Sequence, residues 1–388
     1  MSDQPAFANS KEEAGRRRGV KWQLFGPDVL PAWVADLDVQ VPEFVRSAVL
    51  DVLDRHELGY PSWDLPPVSP LADAFAGRMS DRYGWSPDPT RVRGVNDLVQ
   101  AVQLLIDLTT PPGAPVLLPT PAYPPFVEGP ALLGRRLVPV PADVVDGRYV
   151  WDPDGFREAA ATGARVLVLV NPQNPTGRVL NRDELEQVAE IALAHDLWVI
   201  ADEIHAELVH APHRHLPFAS LGPEVAARTI TVTSAGKSFN LAGMSTAVVH
   251  LGPDEVLRRW DEVPARTGAP NVLGVAATLA AWQHGDAWLA ALGRQLSDRR
   301  DQVGAWVRLT AGVDWIPPEA TYLGWLDCRG LPWPDPAAVF LEHGVAVNPG
   351  HDFGPGAGGF VRLNFGTGPA LLQEILDRMG RAVVESGR

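Results

Sequence analysis

The chain has 388 residues and a net charge of −14. That length calls for two domains, or one large domain with a smaller companion, and the ordinary apolar content supports a sizeable core. The charge argues against a nucleic-acid or anionic-membrane partner while leaving room for a local cationic pocket.

Residues up to about Gly26 lack periodicity and read as an arm. Lys11, Glu12, Glu13, Arg16, Arg17 and Arg18 make it polar, and no apolar run of signal-peptide or membrane-spanning kind follows. Asp36-Leu37-Asp38 reads as a loop after Leu30-Pro31-Ala32-Trp33-Val34. Pro42 to about Glu57 reads as a proline-opened helix with Val45, Val49, Val52 and Leu53 on one face. Gly59-Tyr60-Pro61 breaks it, and a loop with Pro66, Pro67 and Pro70 leads to a helix near Leu71–Tyr83. From Arg91 strands and helices alternate. Arg91–Val95 is strand-like, and Asp97 to Leu108 is helical with Asp97 and Gln100 spaced as a capping box. Strands follow at Pro115–Leu118, Arg165–Val170, Trp198–Ala201 and Thr229–Thr233, with a helix at Arg182–His195. Strands that are apolar throughout, separated by helices, indicate a mainly parallel sheet covered on both faces, an α/β fold. Beyond about Asp286, a helix to Leu309, strands near Tyr322–Leu326, Val345–Val347 and Gly359–Leu363, and a helix near Pro336–His343 suit a small α+β domain. The expected division is an arm with part of the small domain at 1–48, a large domain at 49–285 and a small domain at 286–388.

Ligands of parallel sheets bind outside the carboxyl ends of the strands. Asn96, Asn171, Asp202 and Ser234 each close or follow a strand, so they can converge on one crevice. Asn171-Pro172-Gln173-Asn174-Pro175-Thr176-Gly177 reads as a rigid turn presenting the Asn174 amide to a ligand oxygen, or as a plain loop. Asp202 can cap the next segment or sit against a ring nitrogen and keep it protonated, which makes such a ring an electron sink. Lys237, in Ser234-Ala235-Gly236-Lys237, is either an exposed loop lysine or an amine that forms a Schiff base with an aldehyde cofactor. His205, His210, His213 and His215 match no metal-helix spacing, so no metal is expected. The glycine-rich stretch 354–359 follows no Rossmann-type strand and opens no helix, so it is no dinucleotide fingerprint. Cys328 is the only cysteine, which excludes an intrachain disulfide and fits a reducing, cytoplasmic setting. Trp33 and Trp63 lie near these loops and are candidates to line an apolar pocket.

Asn174, Asp202 and Lys237, in this order at strand ends, resemble the fold-type-I aminotransferase superfamily of pyridoxal-phosphate (PLP) enzymes. Asp202-Glu203-Ile204-His205, Ser234-x-x-Lys237-Ser238-Phe239-Asn240, Thr321-Tyr322-Leu323-x-Trp325-Leu326-Asp327 and Gly359-Phe360-Val361-Arg362-Leu363-Asn364 look like the MalY/PatB-type cystathionine β-lyases, a match running from about Leu30 to about Thr367. The resemblance implies a large domain with a mainly parallel seven-stranded sheet between helices, plus the smaller α+β domain. It implies PLP as cofactor, with Lys237 as the Schiff-base and proton-transfer residue and Asp202 on the pyridinium. Asn174 and His205 would lie by the ring hydroxyl, Tyr123 on the ring face and Ser234 at the phosphate. Backbone N–H groups of Asn96, Asp97 and Leu98 would hold the phosphate at a helix N-terminus. Asp97 departs from the small or apolar residue of the family, and is expected to cap its own helix and turn away. Arg362 would fork onto the substrate α-carboxylate. Tyr60 would reach the phosphate in a partner subunit, which implies a homodimer.

The expected activity is carbon–sulfur β-elimination from cysteine thioethers, yielding a thiol, pyruvate and ammonia. An aminotransferase needs the same Lys237, Asp202 and Asn174 and is the alternative. A PLP-binding regulatory protein is a third reading, against which the intact Lys237 and the lack of a basic or helix-turn-helix segment both count.

Overall fold

The computed structural model describes residues 4–62 and 69–386, so Trp63, Pro66 and Pro67 lie outside the described residues. At its centre is an eight-stranded sheet in the spatial order Val92–Val95, Ala247–Leu251, Thr229–Thr233, Trp198–Asp202, Val166–Val170, Pro115–Thr120, Arg136–Val145, Arg148–Trp151. The five strands from Thr229–Thr233 to Arg136–Val145 pair in parallel. Ala247–Leu251 runs antiparallel to both neighbours, and Arg148–Trp151 closes the far edge as an antiparallel hairpin. The hairpin strand is the eighth, beyond the seven expected.

Alternate residues of each central strand feed opposite layers, as the pleat requires. Val166, Val168 and Val170 pack with Leu105, Ile200, Ile230 and Val249 on one face. Leu167 and Leu169 pack with Leu185, Val188, Val199 and Phe218 on the other. Helices cover both faces, which is why these strands are apolar at every position. Helix Arg182–Ala194 is opened by a reciprocal capping box between Asn181 and Glu184. Helix Leu98–Thr109 begins after Asp97, whose Oδ1 accepts from Gln100 N at 2.8 Å.

A smaller four-stranded antiparallel sheet, Asp314–Trp315, Leu323–Asp327, Phe360–Asn364 and Asn348–Pro349, packs with helices Asp286–Leu309 and Pro369–Ser386. The N-terminal segment joins this part: Leu30–Pro31 pairs in parallel with Val345–Ala346. The arm is folded, in short helices Lys11–Gly15 and Val20–Gln23. The buried Lys21 Nζ donates to Asp38 Oδ2 at 2.8 Å and Trp22 Nε1 to Asp38 Oδ1 at 2.7 Å. Helices of five and four residues are too short to show a period, so composition alone reads them as irregular.

Candidate active site

Five segments that leave the carboxyl ends of the central strands, together with the N-terminal segment and the small sheet, enclose a cavity of about 480 Å³. Its lining includes Asn96, Asp97, Leu98, Tyr123, Asn174, Asp202, His205, Ser234, Lys237 and Arg362. These residues are spread over more than 260 positions of sequence and meet because parallel strands align their carboxyl ends. Tyr60 does not join them. It is 100% exposed and lines a separate hollow with Val52, Gly59, Pro61 and Val275.

The turn after Val166–Val170 is locked by its own side chains. Gln173 Oε1 accepts from Thr176 N at 2.9 Å and from Thr176 Oγ1 at 2.5 Å, Gln173 Nε2 donates to the Pro121 carbonyl, and Asn171 Oδ1 accepts from Leu180 N at 3.0 Å. The peptides Asn171–Pro172 and Asn174–Pro175 are cis. Gly177 has φ +70°, and a Cβ there would lie 2.3 Å from Pro318 Cβ, so only glycine fits. Asn174 Oδ1 accepts from Arg362 Nη1 at 3.1 Å, which leaves Asn174 Nδ2 as the donor toward a ligand.

Asp202 ends its strand at 4% exposure, with Oδ1 accepting from Ile204 N at 3.1 Å. Burial pushes its carboxyl up to about 7, against the backbone hydrogen bond from Ile204 and the positive charge of Lys237. Burial likewise drives His205 down to about 3, so its imidazole is neutral, and its Nδ1 has no hydrogen-bond partner. Ser234 Oγ donates to the Thr246 carbonyl at 2.7 Å and accepts from Gly236 N at 2.9 Å. A phosphate contact from its hydroxyl therefore competes with Thr246. Tyr123 N-caps helix Pro124–Leu132 and stands edge-on to Phe126.

Lys237 is half-buried, and its desolvation lowers its pKa; Asp36 and Asp202 oppose the shift and Arg362 adds to it. Its Nζ donates to the Ala35 carbonyl at 2.9 Å, the same oxygen that accepts from Tyr322 Oη at 2.9 Å. Ala35 belongs to a strap, residues 33–37, held carbonyl by carbonyl. Arg362 Nη2 donates to Trp33 O at 3.0 Å, and Asn364 Nδ2 to Val34 O and Asp36 O at 2.6 and 2.7 Å. Asn240 clasps Leu37 through two hydrogen bonds of 2.8 and 2.9 Å. The strap thus ties the lysine loop to the arginine strand.

Arg362 is 4% exposed. Its Nη2 also donates to Asn348 Oδ1 at 2.6 Å, and its guanidinium lies over the Phe353 ring with Cζ 5.0 Å from the centroid. Among the described residues no carboxylate lies within ion-pair distance of it, its side-chain partners being Asn174, Asn348 and the Trp33 carbonyl, and its Nε has no hydrogen-bond partner. Burial lowers its pKa to about 10, leaving it cationic at neutral pH. A buried guanidinium without a counter-ion is costly unless a ligand anion completes it.

Tyr322, Asn348, Asn364, Asn240 and the Ala35 carbonyl belong to the site although sequence reasoning assigned them no role. Three of them stand inside recognisable motifs, so the signal was present; Asn348 and a backbone carbonyl carry none. The donor set fits a pyridine aldehyde phosphate. Asp202 awaits a cationic partner, and His205, whose Nδ1 lacks a hydrogen-bond partner, lines the cavity with Asn174 and Lys237. The first-turn N–H groups of helix Leu98–Thr109 lack intrahelical acceptors, and Asp97 takes only that of Gln100.

Residues 34–379 match the sequence pattern of the aminotransferase class I and II family. A cystathionine beta-lyase of Corynebacterium glutamicum is 34% identical over 372 residues, covering 95% of this chain and 97% of that protein. The cystathionine beta-lyase PatB of Bacillus subtilis is 32% identical over 388 residues, covering 97% and 99%. The crystal structure of a putative PLP-dependent beta-cystathionase from Corynebacterium diphtheriae superimposes with a TM-score of 0.91 at 32% identity, covering 98% and 99%.

Proposed function

The chain belongs to the aminotransferase class I and II family, and from that premise we propose that it is a PLP-dependent carbon–sulfur β-lyase of the cystathionine β-lyase kind. It converts a cysteine thioether and water to a thiol, pyruvate and ammonia. The observation that carries the reading is one cavity holding a half-buried, desolvated Lys237, a buried Asp202 and an Arg362 without a counter-ion among the described residues. Near-full-length similarity to proteins named as cystathionine β-lyases supports the lyase over the transaminase alternative.

The cofactor, when bound, supplies an electron sink for the charge that develops at Cα. The protein's residues do the rest. Asp202 would accept from the ring nitrogen and hold its proton, Asn174 and His205 would lie by the ring oxygen, Tyr123 would lie on the ring face, and the opening turn of helix Leu98–Thr109 would hold the phosphate. Arg362, which lines the cavity, offers its guanidinium N–H groups to the substrate carboxylate. Arg362 is preorganised by Asn348, Trp33 O and Asn174, so little rotamer freedom is lost on binding. Lys237 Nζ takes the Cα proton. Desolvation lowers its basicity, and the Ala35 carbonyl, held from behind by Tyr322, receives the resulting ammonium. The electron pair released at Cα expels the thiolate from Cβ.

No third lysine or arginine joins Lys237 and Arg362 in lining the cavity among the described residues, so dicarboxylic amino acids are poor substrates. The exposed Tyr60 on its Gly-Tyr-Pro loop supports a homodimer with shared active sites. Among the described residues no helix is long and apolar enough to cross a membrane, and the lone buried Cys328 suits the cytoplasm. The reading is tested by incubating the holoenzyme with L-cystathionine: pyruvate should appear without any added keto acid.

A further inference from the structure

The charges around the cavity are unevenly committed. Its described lining carries two cations, Lys237 and Arg362, and three carboxylates, Asp97, Asp202 and Asp352. On the lyase reading, on which this inference rests, both cations are engaged at Cα and its carboxylate. Asp202 is buried against the ring position and Asp97 is turned to its own helix. Asp352 is left over. Its side chain is 43% exposed, and among the described residues its one ion-pair neighbour is the imidazole of His351, Nε2 to Oδ1 3.4 Å, itself 65% exposed.

The position of Asp352 is fixed by its surroundings. Asn348, four residues before it, accepts from Arg362 Nη2. Phe353, the next residue, lays its ring against the Arg362 guanidinium, and its carbonyl accepts from Ala122 N at 2.8 Å, beside Tyr123. Asp352 therefore stands at the wet edge of the cavity, on the loop that backs the carboxylate-binding arginine. A thioether seated by its α-carboxylate on Arg362 leaves its sulfur substituent to run along the remaining walls. Trp33, Tyr123 and Pro124 make those walls largely apolar.

We propose that Asp352 makes the site selective for cysteine thioethers whose leaving thiol bears a cation, such as an aminothiol or a thiol with a distal ammonium. Leaving thiols that bear only a carboxylate are disfavoured. The chemistry is otherwise the same for both classes: the Cα proton goes to Lys237, the Cβ–S bond breaks and sulfur keeps its electron pair. Only the departing fragment meets Asp352. Attraction of a cation and repulsion of an anion at a half-exposed carboxylate are each modest, and together separate the two classes by about tenfold.

The test compares S-(2-aminoethyl)-L-cysteine with S-(2-carboxyethyl)-L-cysteine on the purified holoenzyme, following pyruvate. The wild-type kcat/KM ratio should favour the aminoethyl substrate about tenfold and shrink as salt is added. Asp352→Asn should bring the ratio close to one, and Asp352→Lys should invert it. Because each ratio is taken within one protein, losses in folding or cofactor loading cancel. A wild-type ratio near one, or a preference that survives Asp352→Asn, overturns the proposal while leaving the lyase reading intact. Failure of every thioether, L-cystathionine included, to release pyruvate overturns the lyase reading and this inference with it.

Discussion

Lys237, half-buried, and Arg362, buried, are cations with no carboxylate at ion-pair distance among the described residues, and desolvation acts on them differently. The lysine answers by holding its proton less tightly, which suits a base. The arginine stays charged and so requires an anion from outside. Arg362→Lys keeps the charge but loses the fork, and should lower kcat/KM by about 30- to 150-fold, or ~2–3 kcal/mol. An unimpaired variant would remove Arg362 from substrate binding. Tyr322→Phe keeps the buried ring and removes the hydroxyl that steadies the Ala35 carbonyl. It should cut kcat roughly tenfold with KM little changed, since only the proton-carrying lysine is affected; a raised KM at constant kcat would contradict this. Asp202 carries a pH signature in cofactor-free protein. Its folded pKa, about 7, lies above the ordinary 3.8 because burial disfavours the anion. The stability it contributes is therefore complete below about pH 4 and lost as pH rises through about 7. Cofactor-free Asp202→Asn should accordingly gain on wild type in denaturant titrations between about pH 5 and 8, by no more than ~4 kcal/mol. A variant that loses ground over that range would show that the carboxylate is not held in a desolvated site.

Two connecting elements hold the chemistry in register: the turn after Val166–Val170 and the strap 33–37. Gly177→Ala places a Cβ against Pro318 Cβ and the Ala320 carbonyl at a positive φ. It should destabilise the fold by about 2–3 kcal/mol or more, read as a shift in the denaturant midpoint, and weaken activity by displacing Asn174. Unchanged stability would mean that the turn relaxes freely. The turn was legible in sequence because its rigidity is written in Asn-Pro, Asn-Pro and Gly. Lys237 and Asp202 were legible because apolar strands with abrupt polar ends mark where a parallel sheet opens. The strap was not, because it works through backbone carbonyls and any side chain leaves those available. Helix Val272–His284 escaped notice because it is apolar nearly all round, packed on several sides, and so has no amphipathic period. Strand Arg136–Val145 lies near the sheet edge with partly exposed residues and two prolines, so it lacks the apolar run that marked its neighbours. His250 likewise interrupts the apolar run of Ala247–Leu251.

For the molecule as a whole, an exposed Tyr60, together with Leu58 at 59% and Leu53 at 39% exposure, is the kind of surface a second copy covers. Light scattering should give twice the chain mass. Mixing Tyr60→Ala with Lys237→Ala protein under conditions that exchange subunits should restore activity that neither has alone, because one mixed site regains both residues. A fully active monomer would contradict the shared site. Near-full-length similarity to cystathionine β-lyases favours elimination over transamination, and a cavity with Lys237 and a single arginine fits a substrate with one amino-acid carboxylate. The most direct measurement supplies L-cystathionine to the holoenzyme and quantifies pyruvate, thiol and amino acids with and without an added keto acid. The account predicts equal amounts of pyruvate and thiol, formed at the same rate in both conditions. Turnover that requires the keto acid, and yields one new amino acid per cystathionine consumed, would contradict it.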